Sequence, residues 1–169
     1  MEDMIRELDE QTFAAEFFDL VGEVECGNRF DPASPSHAQW LTDRIRKRFA
    51  AGARFFAAYL GDGTPVGFTA VQVDPKLEGI PYLGQYSEIV AMGVRQAHRR
   101  RGHGSRLLEF SERHAREQGA YCLYVATYAA AQDTINFYEK NGFVPVATLP
   151  DVHGPKAAGN LYLRKLLRK

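Results

Sequence analysis

Between Glu88 and Leu108 the chain reads EIVAMGVRQAHRRRGHGSRLL, and few folds accommodate that succession. A short apolar strand runs into a basic turn with Gly102 and Gly104, and the turn opens an amphipathic helix. Backbone N–H groups at such a helix start lack intrahelical partners and point outward with the positive end of the helix dipole. That arrangement cradles a pyrophosphate. Glycine lets the main chain approach a ligand that a Cβ would hit, and Arg99, Arg100 and Arg101 add positive charge.

A Gly-x-Gly between strand and helix also serves as an ordinary turn, and three arginines also serve as a solvated face. Other phosphate motifs fit less well. A P-loop needs Lys and then Ser or Thr after its last glycine, where Ser105 and Arg106 stand. The dinucleotide fingerprint needs a third small residue where Leu107 stands.

The chain has 169 residues, the length of one domain, 1–169, with a single core. Lys plus Arg equals Asp plus Glu at 21 each, so no global field recruits nucleic acid or an anionic membrane. No apolar run approaches the roughly 20 residues that span a bilayer, and the acidic start MEDMIRELDE does not suit a signal or transit peptide. A cytoplasmic location is expected. Cys26 and Cys122 lie far apart in sequence, and a disulfide is not expected there. The five histidines lack metal-ligand spacing, so no metal is assigned.

Along the chain, Met4 to Leu8 reads as a strand, and Phe13, Phe17, Leu20 and Val21 form the stripe of a helix. Gly22 to Pro35 reads as a loop carrying Glu23, Glu25 and Asp31. Ser36 with Gln39 reads as a capping box opening a second helix, with Leu41, Ile45 and Phe49 on one face. Arg54–Leu60 and Pro65–Val73 read as a hairpin around Gly61, Asp62 and Gly63. Lys76–Tyr86 reads as a loop whose Tyr82 and Tyr86 either line a cleft or pack on their own domain.

After the basic turn, Leu107, Leu108, Ser111 and Ala115 share one helix face, and Gly119 closes that helix. Ala120–Tyr128 scarcely alternates, the pattern of a strand covered on both faces. Strand, helix and strand of this length imply a right-handed crossover and parallel pairing. Ala131–Lys140 reads as another helix, stopped by Asn141 and Gly142, and Phe143–Thr148 and Asn160–Leu167 read as closing strands. The sequence shows no internal repeat.

With these residues in view, the chain resembles the GNAT superfamily of acetyl-CoA-dependent N-acyltransferases. Arg99 to Gly104 matches that family's (Gln/Arg)-x-x-Gly-x-(Gly/Ala) run, and NFYEKNGF, Asn136 to Phe143, resembles the run on its fourth helix. The resemblance implies an α/β (α+β) fold: a mixed, mostly antiparallel sheet with a splayed central parallel pair and about four helices. It implies acetyl-CoA as cosubstrate, with Met92, Gly93 and Val94 pairing to the pantetheine through their main chain. The turn Arg99, Arg100, Arg101, Gly102, His103, Gly104 and Ser105 would hold the pyrophosphate.

The resemblance also implies catalytic roles. Tyr138 would protonate or hydrogen-bond the departing thiolate, against the alternative of a ring packed in the core with Phe137 and Phe143. Glu88 would act as general base, against the alternative of a carboxylate at a wet sheet edge. The family's Asn near the start of the fourth helix is Ala131 here, leaving that contact to Gln132 or to no residue.

The expected reaction is direct acetyl transfer from acetyl-CoA to a primary amine of a small molecule or protein. The acidic trio Glu23, Glu25 and Asp31 would favour a cationic acceptor. A non-catalytic acyl-CoA sensor is the alternative, and the state is monomer or homodimer, without nucleic acid or membrane.

Overall fold

The computed structural model describes residues 4–73 and 85–167. Its elements run β1 (Met4–Leu8), α1 (Glu10–Cys26), α2 (Pro35–Ala50), β2 (Arg54–Tyr59), β3 (Pro65–Val73), β4 (Tyr86–Val94), α3 (His103–Glu117), β5 (Cys122–Tyr128), α4 (Gln132–Lys140), β6 (Val144–Leu149) and β7 (Asn160–Leu166). Short 3-10 turns lie at Gly27–Arg29 and Gln96–His98. The strands hydrogen-bond in the order β1-β2-β3-β4-β5-β7-β6. β4 and β5 pair in parallel, whereas β1–β2, β2–β3, β5–β7 and β6–β7 are antiparallel. The expected mixed sheet, parallel pair and four helices are all present.

The chain divides into two compact units, one from Met1–Gln72 with Val90–Ser111, the other from Val73–Ile89 with Glu112–Lys169. In the first unit, the α1 stripe Phe13, Phe17, Leu20 and Val21 is buried, as its spacing predicts. Phe13 meets the Phe55 ring at 4.5 Å, and Phe49 stacks on Phe55 at 4.1 Å. Leu107 joins Ala58 and Val66 in a second cluster. A buried Thr69–Ser111 hydroxyl bond of 2.9 Å spans β3 and α3.

In the second unit, Leu123, Val125 and Leu163 are buried on one sheet face, and Ile135, Tyr138 and Phe143 are buried too. Lys165 donates to Glu112 at 2.6 Å.

Four expectations need correcting. Gly22–Pro35 is not all loop, because α1 continues to Cys26. Gly22 tolerates the helix because a Cβ there would lie 2.2 Å from the Phe30 ring, so the glycine makes room for an aromatic instead of breaking the turn. Gly27, at φ +60°, then ends the helix by donating to the Glu23 carbonyl.

The capping box is absent. Pro35 opens α2 after Ser34, the Ser34 and Ser36 hydroxyls bond each other at 3.1 Å, and Gln39 donates to Asp43. Third, β5 is not covered on both faces: Tyr124 and Ala126 are half-buried and Tyr128 is 46% exposed. Its missing alternation comes from tyrosines that are apolar in a sequence pattern yet stand on an open face. Tyr82 lies outside the described residues, and Tyr86 begins β4 instead of lying in a loop.

Candidate active site

The basic turn is a built feature of the first unit. Arg95, just beyond β4, donates to Asp19 at 2.7 Å and to the Glu16 carbonyl at 2.6 Å, clasping α1. Arg99 donates to the Val94 carbonyl at 2.8 Å and pairs with Glu23. The guanidinium expected to face a phosphate therefore fixes the turn to the strand end and to α1. Arg100 and Arg101 are exposed, and among the described residues neither has an ion-pair partner.

The backbone of this turn is unusual. Arg100 adopts φ +59° and Gly102 φ +89°, the left-handed region that glycine enters without a Cβ penalty. A Cβ on Gly102 would meet nothing within 4 Å, so the space in front of it is open. The Arg106 amide donates to the Gly102 carbonyl at 3.1 Å, the first helical bond of α3. Helix geometry thus leaves the amides of residues 103 to 105 at the positive end of a 15-residue helix. His103 is buried, its ring 6.1 Å from that of His98.

Met92, Gly93 and Val94 close β4 in the same unit. A Cβ on Gly93 would lie 2.6 Å from Val24 on α1, so glycine is needed there for helix-to-strand packing. The β4–β5 register runs from Tyr86↔Cys122 to Ile89↔Val125, short of these three residues.

The second unit holds Glu88 and Tyr138. Glu88 is half-buried on β4, directly opposite Tyr124 of β5. Tyr138 is 5% exposed on α4, its ring 5.2 Å from Phe137 and 5.4 Å from Phe143. The ring packs in the core, the alternative weighed for it, and burial pushes the phenol well above its usual value, keeping it protonated.

Ala131 precedes α4 without a side-chain cap, and Gln132 donates to Asn136 at 2.9 Å. The acidic trio is engaged locally: Glu23 with Arg99, Glu25 with Arg44 and Arg48, and Asp31 with the Ala33 amide. Burial raises the Cys122 thiol, against bonds to Tyr121 and Tyr124 that lower it.

Sequence reading missed Arg95 and Arg164. Arg95 was within reach as the first charge after the apolar strand. Arg164 faces Tyr124 only through the β5–β7 register, which no local pattern encodes.

A model of the acetyltransferase (GNAT) family matches residues 6–143, and the chain belongs to that family. A curated relative, the tRNA(Met) cytidine acetyltransferase TmcA of Aeropyrum pernix, is 34% identical over 122 residues, covering 63% of this chain. The match spans only 17% of that longer protein.

Among solved structures, a GNAT-family protein from Desulfovibrio desulfuricans has a TM-score of 0.75 at 19% identity, covering 99% of this chain and 100% of that one. The Salmonella typhimurium protein yncA, solved with acetyl-CoA, has a TM-score of 0.69 at 18% identity, covering 100% of this chain and 96% of that one. These two likenesses concern the fold. Among the described residues no three His, Cys, Asp or Glu side chains group as a metal site, and no helix is long and apolar enough to cross a membrane.

Proposed function

We propose that the protein acetylates a primary amine by direct attack on acetyl-CoA, without an acyl-enzyme. The observation that carries this reading is the α3 start, where Gly102 at φ +89° faces open space and Arg100 and Arg101 beside it are exposed, without an ion-pair partner among the described residues. These features fit a diphosphate, with main-chain amides as donors and two exposed cations to balance its charge. The main chain of Met92, Gly93 and Val94 would bond the pantetheine arm as an added strand. Arg99 takes the part of an anchor for the turn.

Acetyl-CoA supplies an acetyl thioester. The amine attacks the thioester carbonyl, a C–N bond forms, the C–S bond breaks, and N-acetyl amine and free thiol leave. Glu88 would take the proton the amine sheds, and Tyr138 would supply one to the departing sulfur. Burial keeps the phenol protonated, so it can at least donate a hydrogen bond to the sulfur as negative charge develops there. Cys122 is fully buried and its thiol raised, which suits a mechanism without a cysteine nucleophile. A cytoplasmic protein, monomeric or homodimeric, fits this use of acetyl-CoA.

Titration calorimetry with acetyl-CoA, paired with thiol release across a panel of amines, tests the reading. Binding heat with turnover is expected, with Glu88→Gln lowering kcat about 100-fold while acetyl-CoA still binds. Absence of binding at millimolar acetyl-CoA overturns it, and binding without turnover of any amine leaves the sensor alternative standing.

A further inference from the structure

We propose that the open sheet face of the second unit selects an acceptor bearing a carboxylate as well as its amine, with the carboxylate held by Arg164 and the amine toward Glu88. This rests on the acetyl-transfer reading and specifies its acceptor.

Glu88, Tyr124 and Arg164 are directly opposed across β4, β5 and β7. Opposed residues project from the same face, and adjacent strands lie about 4.8 Å apart, so the Glu88 and Arg164 backbones are roughly 10 Å apart with Tyr124 between them. Tyr86, two residues before Glu88 on that face, sets its ring edge-on to Tyr124 at 5.6 Å. Tyr86 and Tyr128 are 40% and 46% exposed, whereas Leu123, Val125 and Leu163 on the opposite face are buried. Aromatic rings thus stand on the more exposed side, where Cys122 is nonetheless buried, with a carboxylate at one end of the row and a half-buried guanidinium at the other.

Arg164 is the second observation. Among the described residues no carboxylate pairs with it, and its Nε is buried without a hydrogen-bond partner. In the first unit Arg95 and Arg99, by contrast, are each joined to a carboxylate, Asp19 and Glu23. A buried donor left unmatched in the protein is matched when its acceptor arrives with a ligand.

Cys122 and Tyr121 feel the Arg164 charge, and both are held neutral. Burial raises the Cys122 thiol, and the bond to Cys122 raises the Tyr121 phenol. Neither supplies the missing anion.

The guanidinium fork fits a carboxylate through two parallel bonds. The Tyr124 ring gives the carbon skeleton an apolar floor, and tyrosine faces also attract an ammonium. An amine without the carboxylate would leave Arg164 unmatched, and a site built around such a bond discriminates strongly against the analogue that lacks it.

Matched acceptors test this: L-phenylalanine against 2-phenylethylamine, and γ-aminobutyrate against propylamine. Each is assayed for kcat/KM by thiol release and for binding by calorimetry with coenzyme A present. The amino carboxylate of each pair is expected to be favoured about 100-fold. Arg164→Gln should bring that ratio close to one and Arg164→Lys should keep part of it, while acetyl-CoA affinity and melting temperature report that both variants are folded.

Turnover without preference for the carboxylate, or a ratio indifferent to Arg164→Gln, overturns the proposal and leaves acetyl transfer standing. If no amine is turned over, acetyl transfer fails and calorimetry decides the proposal. Heat with L-phenylalanine but not 2-phenylethylamine, lost in Arg164→Gln, sustains it; equal heats overturn it.

Discussion

The two units dispose of their charges differently. The first closes several arginines on its own acids, Arg95 on Asp19, Arg99 on Glu23, Arg44 and Arg48 on Glu25, and Arg54 on Glu7, and leaves Arg100 and Arg101 exposed at the turn. Its one fully buried tyrosine, Tyr59, donates to Glu16. The second pairs Lys165 with Glu112 on its covered face but leaves Arg164 unmatched among the described residues and buries Tyr138 in an aromatic sleeve. The first unit uses side-chain charge to hold a backbone in shape, and the turn it holds offers amides. The second keeps side-chain valences in reserve, the arrangement a reacting or selecting surface requires.

The sharpest way to break this comparison is Tyr138→Phe. The substitution keeps the ring between Phe137 and Phe143 and removes only the hydroxyl, so packing is preserved. If the second unit carries the chemistry, kcat should fall about 100-fold or more while calorimetry gives an unchanged acetyl-CoA affinity. An unchanged kcat would make Tyr138 a core residue like its neighbours.

Local pattern carried most of the fold because its elements are amphipathic over whole turns: the stripe of Phe13, Phe17 and Leu20 and the face of Leu107, Leu108 and Ser111 each encode one burial direction. It failed where one residue answers to another far along the chain. Gly22 looks like a helix end until Phe30 is seen against it. Tyr124 counts as apolar until its face proves open, and Arg164 acquires meaning only from a register across non-consecutive strands. The turn Arg99–Ser105 was legible as the opening of α3, yet the division of labour among its arginines was not, because Glu23 lies on α1, 76 residues from Arg99.

That division gives the next test, smaller in effect. The double variant Arg100→Gly with Arg101→Ala should raise the acetyl-CoA Kd about tenfold, less at high salt, where exposed charges are screened. Glycine suits φ +59° better than arginine does, so the variant should melt no lower than the parent. Arg99→Ala should behave oppositely, lowering the melting temperature by a few degrees, as loss of about 1 kcal/mol does. If the double variant left Kd unchanged and Arg99→Ala raised it tenfold without a stability loss, the anchor and the phosphate contact would have to be exchanged.

The smallest effect is in the pH dependence, where each unit should set one edge of the stability profile. Burial acts to raise Asp19, but the Arg95 bonds, the Leu20 amide and the Arg95 charge outweigh it and hold the carboxyl below its usual value. A carboxyl depressed in the folded state stabilises above the ordinary Asp value of about 3.9 and loses that contribution as pH falls through the lower folded value. Tyr138 has the opposite sign of shift: its contribution is whole below the ordinary phenol value of about 10 and is lost as pH rises toward the higher folded value. Melting temperatures from about pH 3 to about pH 11 should therefore show Asp19→Asn flattening only the acid limb and Tyr138→Phe only the alkaline limb. Asp19 is 65% exposed, so solvent screening keeps its share under about 1 kcal/mol, and the alkaline limb should respond more. An acid limb that Asp19→Asn leaves steep would mean that the Arg95 clasp holds through the Glu16 carbonyl, which does not titrate, and that the first unit's ion pairs fix geometry without adding stability.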